Sequence, residues 1–201
     1  FAATARNEEG WESTGSFRIE DFVGHPVIRA SQRGPVDEDT WSRMRTARAT
    51  MSRSLSFGRL AASFAGFDER RGNGTPLARN GGDGFDWSVR LETEGSLTSV
   101  FGQERDFASV FPTVAADRMS ERVALDQYSV PSKSFGLVHQ GTWEGHESEF
   151  SFTMEAIRRE GHTYEENGFS GVRSRAGGRQ TQFGISAANS WSTAHNWNLV
   201  T

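Results

Sequence analysis

The chain has no cysteine. Disulfides and thiolate metal centres are therefore excluded. Lysine is nearly missing too: Lys133 is the only one among 22 basic residues, and the rest are arginine. A GC-rich coding sequence accounts for that bias without invoking the planar guanidinium fork. No apolar run reaches the roughly 20 residues that a membrane-crossing helix needs. A β-barrel crosses with strands and needs no such run. Apolar material is scarce overall, at 35% of residues and a mean hydropathy of −0.61. A helical bundle with a thick core is hard to build from that composition, and a sheet with one apolar face is easier. Excess positive charge is also lacking. At a net charge of −4 the chain presents no field built for nucleic acid, which is excluded as an expected partner.

What is present is alternation. Phe85, Trp87, Val89 and Leu91 fall on one side of an extended chain, and Asp86, Ser88, Arg90 and Glu92 on the other. Period two is the strand signature. Weaker versions recur, and strands are predicted at 54–67, 84–93, 96–102, 121–130, 134–143, 148–158, 179–189 and 194–201. Residues 70–83 and 160–178 read as long Gly-rich loops, and Val130–Ser132 as a break between paired strands. Residues 36–53 are predicted as one amphipathic helix. Asp37, Glu38 and Asp39 open it, and Arg43, Arg45, Arg48 and Arg53 follow, an order that complements a helix dipole. Trp41 and Met44, with Ala47 and Met51, form the stripe that would dock it. The expected organisation is an N-terminal arm and loop over 1–35, the helix over 36–53, and an antiparallel β domain over 54–201.

Two mainly β architectures fit. One is an antiparallel β-barrel of about eight strands preceded by the helix, with apolar residues facing outer-membrane lipid and charges of both signs lining the lumen. The other is a soluble β-sandwich or jelly roll with the apolar face inside. Arg59 and Arg158 interrupt apolar stretches, so the barrel reading requires both to sit near the membrane interfaces.

Residues 150–201 resemble part of the translocator β-barrel of subtilase-type bacterial autotransporters. The likeness rests on a strand ending in Arg158-Arg159-Glu160-Gly161, a loop ending in Gly168-Phe169-Ser170-Gly171, a strand at Thr181-Gln182-Phe183-Gly184, and Trp197-Asn198-Leu199. The resemblance implies a helix occupying the barrel pore, a translocator or anchor role, and a bacterial outer-membrane or extracellular location. No protease residue of that family carries over, because no Gly-Thr-Ser-Met-Ala-like nucleophile motif is present.

Gly81-Gly82-Asp83-Gly84-Phe85-Asp86 fits the opening of a calcium-binding nonapeptide, with Asp83 and Asp86 as ligands. A plain hairpin turn explains the same residues, and Ser88 stands where that motif wants a large apolar side chain. His139 and His146, with Glu144, Glu147 and Glu149, are metal-capable types without metal spacing. His162 and His195 are isolated, and Glu165 and Glu166 pair carboxylates without a partner to position them. No Gly-x-Ser-x-Gly elbow or phosphate loop occurs. A non-catalytic role is therefore expected. It is either a membrane translocator or anchor, or a secreted glycan- or protein-binding module or assembly subunit. Self-association through an open strand edge fits either.

Overall fold

The computed structural model describes residues 2–26, 28–145, 148–192 and 198–200. His146, Glu147, His195, Trp197 and most of the predicted strand at 194–201 lie outside them.

Alternation wins along almost the whole chain. Among the described residues, eleven strands form one antiparallel sheet: β1 (Ala2–Arg6), β2 (Trp11–Val23), β3 (Trp41–Leu55), β4 (Gly58–Gly72), β5 (Arg79–Thr93), β6 (Ser96–Val114), β7 (Glu121–Ser129), β8 (Ser132–Glu144), β9 (Ser148–Asn167), β10 (Arg173–Ser192) and β11 (Asn198–Val200). Each strand lies beside its sequence neighbour, with one exception. β7 pairs the far half of β6 and the far half of β9, while β8 pairs their near halves. The two therefore run along one line as a single interrupted strand. The interruption falls at Val130-Pro131, where proline supplies no N–H to a ladder. Asp106 repairs it: its carboxylate accepts from the Val130 N–H at 2.8 Å and from the Ser129 hydroxyl at 3.0 Å. The break predicted here is real, but it does not reverse the chain.

No α-helix occurs among the described residues, which overturns the helix predicted over 36–53. Residues 41–55 are strand β3, and 37–39 belong to the preceding loop. Arg, Ala and Met are good helix formers, so propensity favoured a helix. The competing pattern is Ser42, Thr46, Thr50, Ser52 and Ser54 on one face, and β2 and β4 supply full ladders on both sides. Trp41 and Met44 are consequently not helix-docking residues. They lie on opposite faces of β3, Trp41 in register with Gly72 and Met44 with Glu69. With the helix goes the pore-filling element implied by the autotransporter resemblance. The N-terminal arm is likewise not an arm, because β1 and β2 form a hairpin across Asn7–Gly10. The predicted loops shrink as well. β5 starts at Arg79 and runs through Gly81–Gly84, and most of 160–178 is strand.

The connections alternate in length with the ends of the sheet. At one end the turns are short: 7–10, 56–57 and 94–95. At the other end they are longer: 24–40, 73–78, 115–120 and 168–172.

Among the described residues nothing packs over the sheet, and contacts run only between neighbouring strands. Val36, in the long loop before β3, is the only buried hydrophobic residue among those described, while Phe183 is 79% and Ile185 82% exposed. The accessible surface is 13962 Å², against about 9,400 Å² expected for a folded monomer of this mass. A second packed sheet would have hidden that excess, so the two-layer sandwich is not what forms.

Candidate functional site

Cross-strand partners share a face, so the register sorts every strand residue by side. The apolar face carries Phe17 and Ile19 on β2, Ala47 to Met51 on β3, Leu60 to Phe64 on β4 and Phe85 to Leu91 on β5. It continues through Val100 on β6, Phe135 to Trp143 on β8, Phe150 to Ala156 on β9 and Phe183 to Ala187 on β10, taking alternate residues throughout. Three glycines on this face lie directly opposite an aromatic ring: Gly72 under Trp41, Gly102 under Trp87 and Gly141 under Phe152. A Cβ at any of the three would meet the ring, so the pairs need glycine. Gly136 and Phe101 repeat the arrangement on the other face.

Toward the long-loop end the apolar stretch stops at a charged residue on each of these strands except β10, where Thr181 precedes Arg179. The border passes through Asp21, Arg45, Asp68, Asp83, Glu104, Lys133 and Arg158. It is oblique to the ladder. Arg158 of β9 is in register, through Phe135, Gly102, Trp87, Phe64 and Ala49, with Gly15 of β2. The border on β2 is instead at Asp21, six residues further along, after six strand-to-strand steps. One residue per strand, at about 3.4 Å rise and 4.8 Å strand spacing, is a slope of about 35°. Beyond the border the charges pair: Arg43 with Asp21 at 2.8 Å, Arg70 with Asp68 at 3.2 Å, Lys133 with Glu104 at 2.7 Å and Arg179 with Glu160 at 3.1 Å.

The opposite face is mainly polar, with Phe67, Phe101, Val138 and Ile157 set among its hydroxyls, amides and charges. Ser63 and Ser88 share a hydrogen bond of 2.8 Å. Asp86 accepts from Gln103 at 2.7 Å and from Arg105 at 3.2 Å. Glu155 accepts from Gln182 at 2.9 Å, and Arg59 donates to Ser52 at 3.0 Å. The two arginines that interrupt apolar stretches in the sequence thus separate. Arg59 sits on the polar face, and Arg158 sits at the border of the apolar band.

At the long-loop end three connections are tied into one knot. Asp37, whose side chain is 3% exposed, accepts from Arg118 Nε at 2.7 Å and from Nη2, and from the Gly34 N–H at 2.8 Å. Val36 N–H donates to the Arg118 carbonyl and Glu38 N–H to that of Gly74. Leu77 N–H donates to Glu121 Oε1 at 2.8 Å. Arg118 holds a φ of 56°, rare for a residue with a Cβ. A Cβ on Gly34 would strike the Arg118 backbone. The Arg118 guanidinium, assisted by the Gly34 N–H, lowers the Asp37 pKa to about 2.

The structure disperses the residues singled out by sequence for metal binding. Asp83 and Asp86 are an odd number of positions apart in one strand, so they face opposite sides. Asp83 lies between Asp68 and Asp106 at the border, and Asp86 lies on the polar face. His139 is on the apolar face, its Nδ1 2.8 Å from Thr98 Oγ1, while Glu144 and Glu149 are on the other. Glu165 and Glu166 also split, the first accepting from Ser174 and the second pairing with Arg173. Among the described residues, no group of three or more His, Asp or Glu is placed to hold a metal ion. Sequence reasoning missed Arg118, Gly34, Asp106 and the aromatic-over-glycine pairs. Their partners are remote in sequence, and only the register reveals them. Comparison with family models, with curated proteins and with solved structures finds no match for this chain.

Proposed function

We propose that this chain is a non-catalytic β-barrel protein of the bacterial outer membrane, acting as a translocator or anchor. The observation that supports this best is the oblique apolar band. A band level with a bilayer must cross tilted strands at a slope, and barrel strands tilt by about 35–45°. The slope of about 35° that the register implies matches a tilt in that range. The band is also the right height. Phe135 to Trp143 on β8 spans nine residues, about 30 Å of strand, which a 35° tilt reduces to about 24 Å, close to the 25 Å belt of such barrels. Short turns at one end and longer loops at the other follow the same plan. The polar face becomes the lumen, lined by Asp86 with Arg105 and by Glu155 with Gln182, hydrogen-bonded between neighbouring strands. The loop knot then covers one mouth. The resemblance of residues 150–201 to autotransporter translocator barrels is in keeping with this role.

Extraction with and without detergent tests the reading, followed by gel migration of boiled and unboiled samples. Detergent-dependent extraction with a heat-dependent shift is the expected result. A monodisperse protein in plain buffer with no shift contradicts it.

A further inference from the structure

We propose that Arg158, with Lys133 beside it, binds the phosphate of an anionic lipid whose hydrocarbon lies along Trp87 and Phe135. This inference rests on the membrane reading and assigns that surface a lipid class and a position. An open hollow of about 310 Å³ lies on the apolar face where the band meets the charged border; Trp87, Gly102 and Phe135 line it together with the cations Lys133 and Arg158 and the carboxylates Glu104 and Glu160. Its floor is Gly102, which lets the Trp87 indole lie flat across it. The Trp87 and Phe135 rings, 6.2 Å apart, form its apolar wall. Aromatic side chains at such a border sit at headgroup level in a membrane.

The charge balance selects the ligand. Lys133 is matched by Glu104 and Arg179 by Glu160. Arg158 stands in the same register row as the aromatic pair and makes no hydrogen bond or ion pair among the described residues. One positive charge is left over at the edge of an apolar surface, where an unmatched guanidinium is costly. A phosphodiester monoanion restores neutrality, and its paired oxygens fit the guanidinium fork. Free phosphate would gain the fork but nothing from the apolar wall. A zwitterionic lipid would bring a second cation beside Arg158. The group that satisfies both halves of the hollow is an anionic phospholipid.

The test uses the full chain in detergent micelles, titrated with phosphatidylglycerol or phosphatidylcholine and read by native mass spectrometry. The expected preference for phosphatidylglycerol is about fivefold, the effect of one basic residue near an anionic headgroup. Arg158→Gln removes that preference, Arg59→Gln on the opposite face leaves it intact, and millimolar inorganic phosphate does not displace the lipid. Equal binding of the two lipids, a preference that survives in the Arg158→Gln/Lys133→Gln double variant, or displacement by inorganic phosphate overturns the proposal. Insertion into phosphatidylcholine bilayers separates the two claims. A chain that inserts there but shows no lipid preference loses only this inference. One that inserts into neither lipid and stays in plain buffer loses the membrane reading as well.

Discussion

Trp87 and Ser88 are neighbours in the chain and belong to opposite chemistries. Trp87 lies over a glycine in a band of exposed aromatics, whereas Ser88 hydrogen-bonds Ser63 on a face of hydroxyls, amides and ion pairs. The apolar face leaves large side chains such as Phe135, Trp143 and Phe183 exposed. The polar face is nearly self-sufficient, because its side chains satisfy one another. On the proposed membrane reading that asymmetry is the reverse of a soluble sheet, in which the apolar side is internal. It predicts that one substitution will have unlike consequences one residue apart.

The sharpest contrast is Val89→Arg against Ser88→Arg. A cation at the middle of the band costs about 2–4 kcal/mol in a bilayer. Val89→Arg is therefore expected to lower urea stability in lipid vesicles by that amount, and Ser88→Arg by under about 1 kcal/mol. Equal effects would erase the distinction between the faces. Next in size is the aromatic-over-glycine pairing. Gly102→Val drives its side chain into Trp87 and should cost about 1–3 kcal/mol. At Gly178 an added Cβ meets nothing within 4 Å, so Gly178→Ala should stay within about 0.5 kcal/mol. Chemical unfolding of the two variants checks the pair.

The loop knot gives a pH-dependent contrast with the strands. The Asp37 pKa is depressed from 3.8 to about 2. Its stabilising contribution is complete above the higher value and is lost as pH falls through the lower one. Pepsin cleavage within 24–40 should therefore rise as pH drops from 4 to 2. In Asp37→Asn cleavage should already be high at pH 4 and nearly flat. The smallest effect belongs to the polar face. Asp86→Asn weakens an exposed pair with Arg105 and should change stability by about 0–1 kcal/mol, as read in the same urea titration.

The sequence showed the strands whose aromatics alternate without interruption, namely β5, β9 and the middle of β10. In these, each apolar residue faces a polar neighbour, and no other period fits. It did not show β3, because arginine, alanine and methionine suit a helix, and a run of acids before a run of arginines imitates a capped one. Strand β3 is set by its neighbours. Arg43 pairs with Asp21 across to β2, and thirteen successive register partners tie the two strands. The β1–β2 hairpin was hidden by small residues that look like an arm. The loop knot was illegible for another reason: Asp37 and Arg118 are 81 positions apart, and neither carries a motif. The Gly81–Asp86 stretch misled because its glycines suggested a turn. Here Gly81, Gly82 and Gly84 sit inside β5 beside Arg70, Phe107 and Arg105, where larger side chains would collide with their neighbours.

The central claim is that one face of the sheet meets lipid and the other does not. The absence of cysteine makes a direct measurement clean. Single cysteines placed in turn at positions 85 to 91 of β5, labelled and reconstituted in lipid vesicles, would be tested against a quencher dissolved in the acyl chains. Strong quenching is expected at 85, 87, 89 and 91 and weak quenching at 86, 88 and 90. Uniformly weak quenching, or quenching without a period of two, would contradict it.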